Sequence, residues 1–236
     1  MTVDPTPTVR QEVTDRFGNL VTHVDFEGVS DRLFVESSFD LETVAPAPMT
    51  DPGLPRLPWS LGPGDPMAEY CSGGEQDIAV RDFAATLAAE SGWASLAFLD
   101  RLNWTLFARM KHDIRAVGAA WTPAQTLAAG GGACRDVTTL FMAACCSLGI
   151  AARFVSGYQA HADTPDGQRH LHAWPEAFLP GLGWRGFDPT HGLAVTDGHV
   201  ALCAAPSQAA TMPVDGGFYA DGVTATLEYK VRIDTR

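Results

Sequence analysis

Apolar residues recur at three- and four-residue spacings from Ile78 to Glu90 and again from Trp93 to Ile114, with Gly92 between the two runs. That spacing predicts a pair of amphipathic helices. Thr122-Pro123 offers an N-cap and a first-turn proline for a third, short helix that should stop at Gly130. A fourth run, Arg135 to Leu148, holds neither glycine nor proline and stops at Gly149. From Ala151 onward the period shortens, and ARFVSGYQ, HAWPEAFL, GWRGFDPT, VALCAA and TATLEYKVRID read as strands. Helices first and strands afterwards predict an α+β domain, not an alternating parallel sheet.

Upstream, LVTHVDFEG and RLFVESSFDLETV alternate in part with period two and read as strands that follow a turn at Asp15-Arg16-Phe17-Gly18-Asn19. Residues 1–10 are rich in proline and threonine and are expected to be poorly ordered. Pro46, Pro48, Pro52, Pro55, Pro58, Pro63 and Pro66 exclude a continuous helix or a central strand. The expected organisation is an N-terminal β region over 1–45, a Pro-rich linker over 46–66 and the main domain over 67–236.

Composition narrows the partners. The 236 residues are 46% hydrophobic and 19% charged, enough for a core and no case for wholesale disorder. Sixteen basic against 28 acidic residues leave a net charge of −12, a field that repels phosphate backbones and anionic lipid. Neither a nucleic acid nor a membrane is therefore expected as a partner. No stretch reaches the ~18 uninterrupted apolar residues of a membrane span, and MTVDPTPTVRQEV does not read as a signal peptide. The cysteines at 71, 134, 145, 146 and 203 are odd in number and lack CxxC spacing. They suggest neither a disulfide framework nor a zinc ribbon, and reduced thiols in a cytoplasm are expected.

The chemistry centres on Cys134, which sits where Gly130-Gly131-Gly132-Ala133 turns into the fourth helix. A helix N-terminus favours thiolate over thiol, and the glycines let backbone approach a substrate with N–H groups free to bind an oxyanion. An arbitrary cysteine is more often a small buried hydrophobe, the reading preferred for Cys145, Cys146 and Cys203; Cys71 lies in a polar turn. His172, at the start of HAWPEAFL, is the candidate base, with His170 its rival two residues earlier. Asp188, at the end of a strand, is the candidate that orients the imidazole, although Asp-Pro alone commonly starts a turn. His161, His170, His172, His191 and His199, with Asp163 and Asp166, could suggest zinc, but their spacing matches no familiar ligand pattern, and no metal is expected.

GGACRDVTTLFMAACCSLGIAARFVSGYQ followed by HLHAWPEAFLPGLGWRGFDPTHG resembles the core of the transglutaminase-like superfamily, in particular the bacterial transglutaminase-like cysteine peptidases. The resemblance is strong over about residues 118–192. Its G-x-C-x-D, HAW and FDPT segments place the family's nucleophile, histidine and aspartate at Cys134, His172 and Asp188. DRFGN and the strands after it resemble the end of a small N-terminal β region. The chain starts only fourteen residues before Asp15, so that region is expected to be truncated. Where relatives often carry Gly-Arg-Asp-Tyr, this chain reads Ala205-Pro206-Ser207-Gln208, and a contact made there is expected to be lost. Pro175, directly after HAW, suggests a bulge or edge position.

The resemblance implies a papain-like α+β fold, with the nucleophile at a helix N-terminus packed on an antiparallel sheet, and acyl transfer through a thioester. It implies a peptide or protein amide as substrate, with Trp121, Tyr158 and Trp174 as candidates for shaping the pocket. No cofactor is expected, and no acidic loop suggests calcium. Amide or peptide hydrolysis is the leading activity. Transfer to an amine acceptor and a non-catalytic binding module are the alternatives, and metal-dependent hydrolysis by the histidines is a third.

Overall fold

A computed structural model describes residues 1–28, 30–62, 64–71, 77–115, 118–161, 164, 167–219, 221–222 and 224–235. The chain divides into two compact units, Met1–Val44 and Ala45–Arg236.

The first unit is made of two antiparallel pairs. Strand β1 (Thr2–Asp4) pairs with β4 (Phe34–Glu36), and β2 (Val9–Thr14) forms a hairpin with β3 (Leu20–Asp25). The hairpin turn follows from Asp15, whose Oδ1 accepts the N–H groups of Phe17 and Asn19 at 2.8 Å each, with Gly18 at φ 89°. Residues 1–10 thus contribute to two strands instead of lying disordered, because Val9–Thr14 finds a partner across a tight turn.

The second unit carries the core. Its helices are α1 (Ile78–Glu90), α2 (Ser95–Arg109), α3 (Pro123–Ala129) and α4 (Cys134–Ser147). Strands β7 (Ala152–Gln159), β8 (His172–Leu179), β9 (Gly183–Asp188), β10 (Leu193–Ala194) and β11 (His199–Ala205) form one antiparallel sheet in the order β10-β9-β8-β7-β11. Helix α4 lays Val137, Leu140, Phe141, Ala144 and Cys145 on this sheet, a stripe at the spacing expected of a core-facing helix. Phe141 stacks on Phe187 of β9 with ring centroids 5.4 Å apart. Each such apolar side chain contributes about 2 kcal/mol by leaving water.

Several boundaries differ from expectation for local reasons. The second helix stops at Arg109 rather than Ile114, because Met110 turns extended and sends β5 (Lys111–His112) into a parallel bridge with β6 (Gly131–Gly132). TATLEYKVRID has strand-forming composition but no strand pairing, and it is largely exposed. Strand β8 keeps an unbroken register with β7 through Phe154 and Pro175, while its ladder to β9 begins at Glu176. Pro175 therefore needs no bulge: the side of β8 beyond that ladder is open there.

The Pro-rich segment belongs to the second unit and lies against its core. Leu57 is buried, its N–H donates to the Trp93 carbonyl at 2.9 Å, and the Trp59 N–H donates to the Leu148 carbonyl at 2.8 Å. Gly149, at φ 79°, is required at this crossing, since a Cβ there would overlap the Trp59 carbonyl. The thiols also depart from expectation: Cys71 and Cys146 form a disulfide that joins the short 3-10 turn Ala68–Cys71 to α4. Cys134, Cys145 and Cys203 form no disulfide. Among the described residues no helix is long and apolar enough to cross a membrane.

Candidate active site

Cys134 is the first residue of α4, and the approach to it is built by local chemistry. Thr122 and Gln125 form a reciprocal capping box at the start of α3, Pro123 occupies the first turn, and Gly130 closes the helix in the left-handed conformation. The next two glycines are required by close approaches. A Cβ on Gly131 would lie 2.5 Å from the Lys111 carbonyl oxygen, and one on Gly132 would lie 2.8 Å from Asp136 Oδ2. Asp136, fully buried, holds the turn: its Oδ2 accepts the Ala133 N–H at 2.8 Å, and its Oδ1 accepts the Trp121 N–H at 2.7 Å and pairs with Arg115 at 2.6 Å. The glycine run thus owes its composition to packing around Cys134.

His172, the first residue of β8, comes to Cys134 from the sheet. Its ring hydrogen-bonds the thiol, and the Ala173 N–H also donates to the sulfur. Its Nε2 lies 2.9 Å from Asp188 Oδ2, which leaves Nδ1 for the sulfur side. Asp188 ends β9 and is fully buried. Its Oδ2 also meets His191 Nδ1 at 2.8 Å and His199 Nε2 at 3.0 Å, and its Oδ1 accepts the N–H groups of Thr190 and His191 at 3.1 and 3.2 Å.

These contacts set the charges. Burial alone would raise the Asp188 pKa, but the His172 charge and hydrogen bonds from His172, His191 and His199 hold it well below the usual carboxylate range. Burial would lower that of His172, but the charge and hydrogen bond of Asp188, with Cys134 behind them, push it up to about 10. Burial would raise the Cys134 thiol, yet the His172 hydrogen bond and charge, the Ala173 N–H and Arg135 bring it below its ordinary value. The pair therefore leans toward thiolate and imidazolium. Deep in α4, Cys145 has no such neighbours, and burial pushes its thiol well up.

His172, Asp188 and His191 bring their ligand-capable atoms within 4.8 Å of one another, close enough to surround a cation. A metal would have to displace the His172 proton, which is held up to pH about 10. The convergence is accounted for by hydrogen bonds into one carboxylate oxygen.

The remaining sequence candidates scatter. Trp174 is buried, its ring centroid 5.9 Å from that of His172, and Gly157 makes room for it: a Cβ there would lie 2.6 Å from Trp174 Cη2. Trp121 is 37% exposed with the Arg115 guanidinium 4.8 Å above its ring, and Tyr158 is half-buried on β7. His170 faces Tyr229, its Nδ1 3.2 Å from the Tyr229 hydroxyl, and the His161 N–H donates to Gln159 Oε1. Asp163 and Asp166 lie outside the described residues. In the 205–208 segment, Gln208 Oε1 accepts the Ala120 N–H at 2.7 Å.

Sequence reasoning missed His112. The bridge between β5 and β6 carries it to the Cys134 turn, where its ring lies 6.5 Å from that of His191. Burial, then His191 and His172, lower its pKa. The signal that could have found it is slight, a lone His in KHD after an amphipathic run.

The core of the transglutaminase-like superfamily matches residues 86–189. An uncharacterized protein of Mycobacterium tuberculosis is 25% identical over 256 residues, spanning 99% of this chain and 80% of the relative, and one of Mycobacterium bovis matches to the same extent. A candidate cysteine protease of Cytophaga hutchinsonii has the same fold, with a TM-score of 0.55 at 19% identity over 88% of this chain and 70% of the other. Residues 86–189, which hold Cys134, His172 and Asp188 on α4, β8 and β9, are thus the part of the chain that matches the transglutaminase-like superfamily domain.

Proposed function

We propose that the protein is a cysteine-dependent amide or peptide hydrolase that works through Cys134, His172 and Asp188. The observation that carries this reading is the continuous line from the Cys134 thiol through the His172 ring to Asp188 Oδ2, with pKa values displaced toward an ion pair. The Cys134 sulfur attacks the amide carbonyl carbon, and the first-turn N–H of α4 receives the oxyanion. The C–N bond then breaks as His172 gives its proton to the departing amine, leaving a thioester. Water, deprotonated by His172, attacks that thioester, and the acid leaves with Cys134 restored. Trp121, the most exposed of the three candidate aromatics, faces the substrate; Trp174 is a buried support behind His172.

The first test is the rate of iodoacetamide alkylation at Cys134 against pH, in the wild type and in His172→Ala. Fast labelling below neutral pH that the variant slows is expected. Labelling only near the free-thiol pKa of about 8.5 would refute the reading. With a turnover assay from a panel of peptide amides, Cys134→Ala should lower kcat by on the order of 10⁶ while Cys145→Ala leaves the chemistry in place. Adding a primary amine to the same assay separates hydrolysis from amine transfer by the product formed.

A further inference from the structure

Asp188 has no exposed surface, so its charge depends wholly on protein donors. Three imidazoles converge on Oδ2, and they are not equivalent. His172 is the one bonded to the thiol. His191 is 19% exposed, so water can replace its bond. His199, on β11, has a fully buried side chain and packs edge-on against Trp174 at 5.2 Å and 74°. Its Nδ1 accepts the Thr196 N–H at 3.2 Å, which requires a lone pair there and puts the ring proton on Nε2, 3.0 Å from Asp188 Oδ2. A doubly protonated ring would turn one N–H against another at Thr196.

We propose that His199 is a positioning residue for the Cys134 reaction: a neutral imidazole, locked by Thr196 as its Nε2–H tautomer, that keeps Asp188 ionised and aimed at His172. The inference rests on the hydrolase reading and extends its machinery from three residues to four. Without the His199 donor, burial raises the pKa of Asp188 with less to oppose it. Once Asp188 takes a proton, His172 loses the charge that holds its own, and Cys134 loses the imidazolium beside it. The acid limb of Cys134 reactivity should therefore move up in pH. The alkaline limb, set by His172 giving up its proton while Asp188 is already charged, should stay. Among the described residues, the other titratable or charged groups around this centre are His191 on the loop after β9, His112 with Asp113 at β5, and Cys134 with Arg135 on α4.

The test is the pH profile of Cys134 alkylation by iodoacetamide in wild type, His199→Phe and His199→Gln. Phe keeps a ring against Trp174 and removes the donor, and an upward shift of the acid limb by about one pH unit is expected. Gln places an amide N–H where Nε2–H stood and should return the limb to its wild-type position. A folded His199→Phe protein with an unmoved acid limb overturns the proposal, because a merely structural role would change the amplitude and not the limb. If His199→Phe does not fold, the ¹⁵N spectrum of the wild-type imidazoles decides. His199 neutral with its proton on Nε2 across the active range supports the proposal, and a charged ring or the Nδ1–H tautomer overturns it. A wild-type Cys134 that reacts like a free thiol sinks both readings. An activated Cys134 indifferent to His199→Phe removes this inference and leaves the hydrolase.

Discussion

His172 and Asp188 titrate in opposite directions, and the folded state carries the signature of both. The His172 pKa is raised from 6.5 to about 10, so its contribution to stability is complete below pH 6.5 and is lost as pH rises toward 10. Asp188 is held well below 3.8, so its contribution is present above that value and is lost as pH falls further. The two are one coupled pair and count once. Thermal unfolding followed from neutral pH to about 10 should show Tm falling, and His172→Gln should flatten the fall; equal slopes would contradict the assignment. Cys134, His172 and Asp188 stood out in the sequence because each opens or closes an element at a recognisable motif. His112 did not, because a bridge of two residues per strand, invisible to periodicity, brings it into place. The glycines before Cys134 were legible as a tight approach, but the approach is to Lys111 and Asp136.

Helix α4 holds its N-terminal turn through Asp136 and its C-terminal end through the strap at Leu148 and the disulfide at Cys146. Asp136→Ala would leave Arg115 and the N–H groups of Ala133 and Trp121 without their buried partner. Breaking a buried pair from one side costs about 3–5 kcal/mol, to be read from urea unfolding at neutral pH. A loss under about 1 kcal/mol would mean that the turn is held by something else. The helices and β7 to β9 were readable from the sequence because spacing, caps and glycine stops agree there, as at Thr122, Gly130 and Gly149. TATLEYKVRID misleads because strand propensity is realised only with a partner edge. Val9–Thr14 is hard to read as a strand because Pro5 and Pro7 before it suggest disorder, while its pairing needs only the Asp15 turn.

The buried cluster runs from Leu57 to Phe187 and lies wholly within 45–236. A fragment of residues 45–236 should therefore fold alone and keep the alkylation profile of Cys134. A fragment of 67–236 loses Leu57, along with Leu54 and Trp59 that pack against the same cluster, and Tm should drop by about 5 °C or more in calorimetry. Equal melting of the two fragments would show the strap to be dispensable. Cys71 and Cys146 are 75 positions apart in the sequence, which is why their pairing cannot be read from spacing. Their bond also sets the stoichiometry of the whole chain. Unfolded without reductant, the protein should titrate as three thiols, Cys134, Cys145 and Cys203, and after reduction as five. In the native state Cys134, whose thiol His172 activates, should react first. The colour would then rise in three steps, from Cys134 alone to three thiols when unfolding adds Cys145 and Cys203, and to five when electrons release Cys71 and Cys146.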